Sequence, residues 1–570
     1  MWSLASTAAL MLALGQGSNA LHARMQTRPP SDYMGLGLGT GSSKSVNSRD
    51  TQPPPVDART VELPLNHFGS DAGTFLNRYW VYSEKYKSGG PIFIYDTGES
   101  DAEPSSAFFL SDPRSFFNQI LEEFNGIGIA WEHRMYGKSV PENFFNDTSL
   151  DRFKYLTVPQ ALADVDAFAK QFSLPYINAT LTADHTLWVF IGASYSGGRA
   201  AWVRNKYPDT IYASWAAAAT VEAMVDMSYY ADAVWTGMNA RGFGNCTRDI
   251  QAAIRYIDHI MDTDPQATAK LKEQFLGIGS ANISNVDFVG TFDVFYSDWQ
   301  IYDMDGYCFS LRKFCDMLET DPKTNQTAPK DGWAPTKGAK SVVDKWAVYP
   351  DYSKTVIQDS DAQCATNGTS SNNCSSDVQT VDPNYLSWRW QACTEWGYLQ
   401  SANVGPYQLV SKYETLESQR DACHQLFDKS PPSVFPEWPK VQEFNKALGG
   451  WHIRPSNTYW SGGEFDPWLP TGPFSQRPGA PKVEITQEIP KCGESTGKDR
   501  LFGKLIKCGV HASDFNTPGL DYNIIPDSVK SQDLFKKALK EWLPCFDQRT
   551  KLQRRSKHEP ESTGRFRSFF

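Results

Sequence analysis

The 570-residue chain is predicted to fold as an α/β protein around a parallel sheet. Three observations carry that expectation. Short, continuous apolar runs at 91–95, 127–131 and 187–191 read as strands buried on both faces. Segments with helical spacing, 157–172 and 197–207, alternate with them. Apolar residues make up 40% of the chain and aromatics 13%, with 18 Trp, enough to bury a large core.

Taken in order, each segment has its own signal. Residues 1–20 resemble a secretory signal peptide, with an apolar run at 8–14 and a small-x-small site at Ser18-Asn19-Ala20. Their start lacks Lys and Arg, and a buried N-terminal helix is the alternative. Residues 21–58, rich in Pro, Gly and Ser, read as a flexible lead or propeptide, with structure starting near Val61. The first part of the α/β domain is expected over 59–220. Residues 77–82 are aromatic and β-prone. The run at 91–95 breaks at Thr97-Gly98. The helix at 157–172 carries Leu162, Val165, Phe168 and Ala169 on one face, with Thr157 as N-cap and Pro159 in the first turn. The strand at 187–191 stops at Gly192, and 212–219 is a further apolar strand. Residues 221–425 are mostly helical or irregular and read as a cap. Residues 426–548 complete the domain, with a strand at 458–460 and a final amphipathic helix. That helix has an apolar stripe of Leu534, Phe535, Ala538, Leu539 and Trp542. The basic segment 549–570 reads as a disordered tail.

Composition excludes several classes. Lys and Arg total 55 against 65 Asp and Glu, a formal charge of −10, so a basic nucleic-acid footprint is not expected. No stretch after the leader reaches the ~18 apolar residues of a membrane span. Export has two further supports. Sequons stand at Asn146, Asn178, Asn245, Asn282, Asn325, Asn367 and Asn373, which reads as glycosylation. The 10 Cys include no C-x-x-C and are expected in disulfides, with Cys308 and Cys315 close enough for a short loop. No cofactor or metal is expected. The run from Gly493 to Lys498 has the wrong spacing for a phosphate loop, and H-E-x-x-H is absent.

The sharpest chemical signal is Gly192-Ala193-Ser194-Tyr195-Ser196-Gly197. A strand runs into a tight turn and then a helix, with small residues around a Ser, as a nucleophile elbow requires. An ordinary turn with a capping Ser is the alternative. The following helix would aim N–H groups at a developing oxyanion. Tyr195 N–H is the first candidate donor, and the second is expected from the loop at Gly98-Glu99. The elbow needs an acid and then a base downstream. Asp466, in the turn after 458–460, and His511, before the last helix, fit that order, with one strand and one helix expected between them. Each could instead be a plain turn former or loop histidine. A Ser hydroxyl needs a base in reach, and His needs a carboxylate to fix its tautomer.

Six blocks in order resemble the lysosomal Pro-Xaa carboxypeptidase family, peptidase family S28. They are Leu63-Pro64-Leu65-Asn66-His67-Phe68, Glu132-His133-Arg134-Met135-Tyr136-Gly137, the elbow, Cys393-Thr394-Glu395, Asp466-Pro467-Trp468, and Gly509-Val510-His511-Ala512-Ser513-Asp514. Ala193 departs from the family's Gly at the elbow. The resemblance covers about 60–545. It implies an α/β-hydrolase with a largely helical cap, secreted or lysosomal, cleaving peptides after proline. Ser194 falls on its nucleophile, Asp466 on its acid and His511 on its base. Trp468 falls on an aromatic of the proline pocket, or is a core aromatic. Glu395 either lines the substrate cleft or pairs structurally with an arginine. His133, out of triad order, reads as structural. The expected partners are proline-containing peptides or proteins, with a homodimer admitted. An esterase of the same fold and an inactive glycosylated binding protein are the competing readings.

Overall fold

The computed structural model describes residues 53–558, apart from residues 71 and 429 and segments 143–149, 293–298, 306–310, 350–382 and 516–524. The leader, Asn146, Asn367, Asn373 and Cys308 therefore lie outside the described residues. The strands are β1 (Ala58–Pro64), β2 (Thr74–Tyr82), β3 (Ile92–Asp96), β4 (Ile127–Trp131), β5 (Trp188–Ala193), β6 (Ala213–Ala217), β7 (Met224–Asp226), β8 (Gly397–Leu399), β9 (Thr458–Gly463), β10 (Glu484–Thr486) and β11 (Arg500–Ile506). Nine of them form one sheet in the order β1-β2-β4-β3-β5-β6-β9-β11-β10. β1, β2 and β4 pair antiparallel, and every pairing from β4 onward is parallel. Helices cover both faces, and this is the α/β-hydrolase fold.

The alternation within each buried strand feeds two core layers. Ile92 and Ile94 point to one face with Ile129, Trp188 and Phe190. Phe93 and Tyr95 point to the other with Val189, Ile191 and Trp215. Helices α1 (Glu103–Ser111) and α2 (Phe116–Phe124) pack on the second face. Helices α3 (Val158–Gln171) and α4 (Tyr195–Lys206) pack on the first. The last helix, α11 (Pro526–His558), lays the expected stripe on the second layer. Phe535 stands 4.8 Å from the Trp215 ring, and Trp542 stands 5.7 Å from Phe502. Its backbone stays helical to His558, beyond residue 548 where a disordered tail was expected.

Two of the sequence blocks are structural. Asp164 on α3 joins His67 at 2.7 Å and Arg134 at 2.6 Å, all buried or nearly so. Glu132 takes Arg78 Nε at 2.8 Å.

The cap lies between β6 and β9. It comprises α5 (Tyr229–Ala240), α6 (Gly244–Thr263), α7 (Pro265–Leu276), α8 (Leu311–Glu319), α9 (Ala339–Ala347) and α10 (Pro383–Gln391), with shorter turns. β7 and β8 pair parallel and join its two ends. The helix at Leu416–Leu426 and the helix at Val441–Leu448 follow before the chain rejoins the sheet at β9.

Disulfides join Cys246 to Cys315, Cys393 to Cys423 and Cys492 to Cys545. The expected Cys308–Cys315 loop is thus overturned. Cys315 sits on the buried side of α8 with Leu311, Phe314 and Leu318, and pairs with α6. Closing loops of this size is worth about 2–4 kcal/mol each. Asn178, Asn282 and Asn325 are exposed, and Asn245 is partly buried at the start of α6.

The interval from Asp466 to His511 also differs from expectation. It holds β10 and β11, and no α-helix among the described residues. Prolines at 467, 470, 473, 478 and 481 remove helix donors along its first half.

Candidate active site

Ser194 is the residue between β5 and α4, with φ 63° and ψ −128°. A left-handed conformation at a non-glycine residue costs about 1–3 kcal/mol and needs support. Neighbouring contacts supply it. Ser194 N–H donates to Ala217 C=O at 2.9 Å, and Gly198 N–H donates to Ser194 C=O at 3.0 Å. A Cβ on Gly192 would come within 2.2 Å of Ser196 C=O, and one on Gly197 within 2.2 Å of Ala217 C=O. Ser196 has its own task. Its hydroxyl donates to Ala193 C=O at 2.6 Å and accepts Ala193 N–H at 3.0 Å, clasping the turn. Ala193 is buried in the second core layer, so its methyl is accommodated.

Asp466 follows β9, and His511 follows β11. Both therefore reach the same C-terminal edge of the parallel sheet as Ser194. His511 Nδ1 lies 2.9 Å from each Asp466 oxygen. Both residues are 1% exposed. With Nδ1–H donating to the carboxylate, Nε2 keeps its lone pair, and this atom is buried without a hydrogen-bond partner. Asp466 also accepts Trp468 N–H at 2.8 Å, and Phe465 N–H donates to Gly509 C=O at 2.8 Å. These bonds lock the Asp466 loop to the His511 loop.

The loop after β3 lies against the elbow. A Cβ on Gly98, at φ 68°, would meet the Ser196 hydroxyl at 3.4 Å. Asp96 accepts Gly98 N–H at 3.1 Å and Arg199 Nη1 at 2.5 Å, so the loop is tied to α4. Glu99 is buried on it, and Tyr195 opens α4. The two expected oxyanion donors thus come from touching segments.

Trp468 is 4% exposed, with its ring 6.4 Å from that of His511. Tyr230 at 5.7 Å and Tyr398 at 5.4 Å meet it edge to face. Neither tyrosine was picked out by the sequence. Tyr398 does follow the Cys393-Thr394-Glu395 block, at φ 64° after a π-turn, a deformation common at functional sites. Gln300 of the cap was missed too. It accepts the Trp468 indole N–H at 2.8 Å.

Glu395 caps α3. Both its oxygens accept Val158 N–H, at 3.2 and 3.1 Å, at the start of α3. It replaces Thr157, whose side chain makes no capping bond. Burial pushes its carboxyl up to about 8. It faces a cavity of about 490 Å³ lined also by Lys154, Trp390, Phe444 and Leu448. His133 is fully buried behind the elbow, with Nδ1 2.7 Å from Arg134 C=O and Nε2 2.9 Å from the Tyr195 hydroxyl. Burial and the Arg199 charge hold it well below the usual histidine range, so it stays neutral.

Among the described residues, no helix is long and apolar enough to cross a membrane. Curated relatives are distant in sequence but long in overlap. A "Probable extracellular serine carboxypeptidase" of Arthroderma benhamiae is 26% identical over 85% of this chain and 68% of its own. The "Thymus-specific serine protease" of Mus musculus is 26% identical over 82% of this chain and 85% of its own. The "Lysosomal Pro-X carboxypeptidase" of Bos taurus is 25% identical over 88% of this chain and 91% of its own. The family model for Serine carboxypeptidase S28 matches residues 64–486, most of the chain, and the protein belongs to that serine peptidase family.

Proposed function

We propose that the protein is an exported peptidase that cleaves on the carboxyl side of proline through Ser194, His511 and Asp466. One observation carries this reading. A serine strained into the left-handed region shares a sheet edge with an Asp-bound histidine whose Nε2 has no partner. In the mechanism, Ser194 Oγ attacks the carbonyl carbon of proline as His511 Nε2 takes its proton. Asp466 holds Nδ1–H and stabilises the imidazolium. The N–H groups of Tyr195 and Glu99 face the oxyanion. His511 then returns the proton to the leaving amine, and a water activated by the same nitrogen hydrolyses the acyl-enzyme. No cofactor enters these steps. The flat pyrrolidine ring packs on Trp468, with Tyr230 and Tyr398 flanking it. The names of the relatives, one extracellular and one lysosomal and directed at Pro-X bonds, support both the location and the specificity.

The test uses purified protein and Ser194→Ala with three proline peptides at acidic pH. One has a free C-terminus at Pro-Xaa, one a free N-terminus at Xaa-Pro, and one is blocked at both ends. Mass spectrometry locates the cut. Cleavage after proline that vanishes in Ser194→Ala is expected, and the peptide cut tells exo from endo action. No cleavage by folded protein would overturn the reading.

A further inference from the structure

Cap and catalytic loops meet at Gln300 and its neighbours. Gln300 lies on the short cap helix Trp299–Tyr302 and is 3% exposed. Its backbone C=O accepts His511 N–H at 2.8 Å. Its side-chain Oε1 accepts the Trp468 indole N–H at 2.8 Å and the Tyr230 hydroxyl at 3.1 Å. An indole N–H can only donate, so the amide oxygen must face it. The neighbours of Gln300 repeat the pattern. Trp299 donates its indole N–H to Phe465 C=O at 3.0 Å. Arg241 of α5's C-terminal end binds Asp303 and donates to Cys508 C=O at 2.7 Å. The cap therefore grips the Asp466 loop at Phe465 and Trp468, and the His511 loop at Cys508 and His511 itself.

We propose that Gln300 is a positioning residue for proton transfer: bonding Trp468 through its side chain and His511 through its backbone, it sets where the paired acid and base loops stand relative to Ser194 and makes that position depend on the seated cap. This rests on the triad reading above. The Asp466–His511 bond fixes the tautomer, but both residues hang from loops. A bond between the two side chains lets the loops shift as a pair relative to Ser194. Gln300 ties both to a third body. Without its amide, two buried donors, the Trp468 indole and the Tyr230 hydroxyl, lose a common acceptor. The indole can recover one only by moving, and Trp468 carries the Asp466 loop with it.

The test is the rate at which a fluorophosphonate labels Ser194, counted per folded molecule, beside kcat and KM for a proline peptide. Gln300→Met keeps the side-chain volume and removes the acceptor. It is expected to slow labelling and lower kcat roughly tenfold to hundredfold, with KM little changed. Gln300→Glu at acidic pH keeps an acceptor oxygen, and is expected to restore labelling to within about threefold of wild type. A purely structural role would lower the melting temperature of both variants and leave the labelling rate of folded molecules unchanged, which would overturn the proposal. So would a Gln300→Glu as slow as Gln300→Met. If Gln300→Met does not fold, Trp468→Phe removes the indole donor and spares a ring. It is expected to slow labelling roughly threefold to tenfold, and a wild-type rate would overturn the proposal. Absence of label in the wild-type protein would instead overturn the triad reading, so the two failures are separable.

Discussion

The Arg199 guanidinium and the Asp96 carboxylate form a fully buried ion pair, 2.5 Å apart, joining the helix that follows Ser194 to the strand whose loop carries Glu99. Asp96 passes the constraint on by accepting Gly98 N–H, and Arg199 Nη2 donates to Ala161 C=O at 3.0 Å. Burial pushes the Asp96 carboxyl up, and the Arg199 charge opposes that push. Removing one partner of a buried pair leaves the other uncompensated, at about 3–5 kcal/mol. Arg199→Met is therefore expected to lose that much stability in urea unfolding. It is also expected to slow fluorophosphonate labelling, because the Gly98-Glu99 loop loses its anchor. Unchanged labelling by the folded variant would separate this pair from the oxyanion donors.

Asp466→Asn tests the tautomer argument. The amide keeps the shape of the carboxylate but can offer its NH2 to His511 Nδ1, which then accepts and leaves the proton on Nε2. That nitrogen could not take the serine proton. In the general Ser-His-Asp template the corresponding change costs about 10⁴-fold in kcat. A drop of that order, with KM held, is expected from peptide turnover. A loss below about tenfold would remove Asp466 from the mechanism.

Two carboxyls give the fold a preference for acid. Glu319, buried in the cap beside Asp249, is pushed up to about 8 by burial and then by its acidic neighbour. Glu395, which caps the start of α3, is pushed up to about 8 by burial. The ordinary value for each is 4.5. A carboxyl raised in the folded state contributes stability that is complete below its unfolded value and is lost as pH rises through its folded value. Both contributions therefore fade between about 4.5 and 8. Glu319→Gln is expected to raise the melting temperature by several degrees at pH 8 and to change it little at pH 4.5. Thermal melts across that range check it, and an equal shift at both ends would count against the carboxyl pair.

The parts of this protein legible from sequence are those encoded over one short stretch. Residues 187–207 specify a buried strand, a turn of small residues and a helix in unbroken succession, and the structure has β5, Ser194 and α4 there. β4 lies at 127–131 as read, because a strand buried on both faces needs an unbroken apolar run. β11 escaped notice. It runs Arg500–Ile506 and includes Gly503 and Lys504, which dilute its apolar signal, and β10 beside it has only three residues. Pairing across the chain was also illegible. Cys315 is near Cys308 in sequence, but the helix it lies on turns it toward Cys246. Glu395 caps a helix 237 residues away. Gln300 meets Trp468 across 168 residues of chain, and no local pattern distinguishes it from any other buried glutamine.

Trp468 offers the sharpest test of specificity. Tyr230 and Tyr398 stand nearly perpendicular to its ring, and Gln300 accepts its N–H. An aromatic face is worth about 0.5–1.5 kcal/mol to a stacked partner beyond the area buried. Alanine at the cleaved position offers no ring to stack. Trp468→Leu disturbs the Gln300 contact as well, so its absolute rate mixes two effects. The ratio of kcat/KM for a proline peptide to that for its alanine analogue isolates the face, because loop displacement slows both substrates alike. Trp468→Leu is expected to lower that ratio roughly threefold to tenfold. A ratio unchanged from wild type, with both rates reduced, would assign Trp468 to holding the Asp466 loop and move the proline contact to another wall of the cleft.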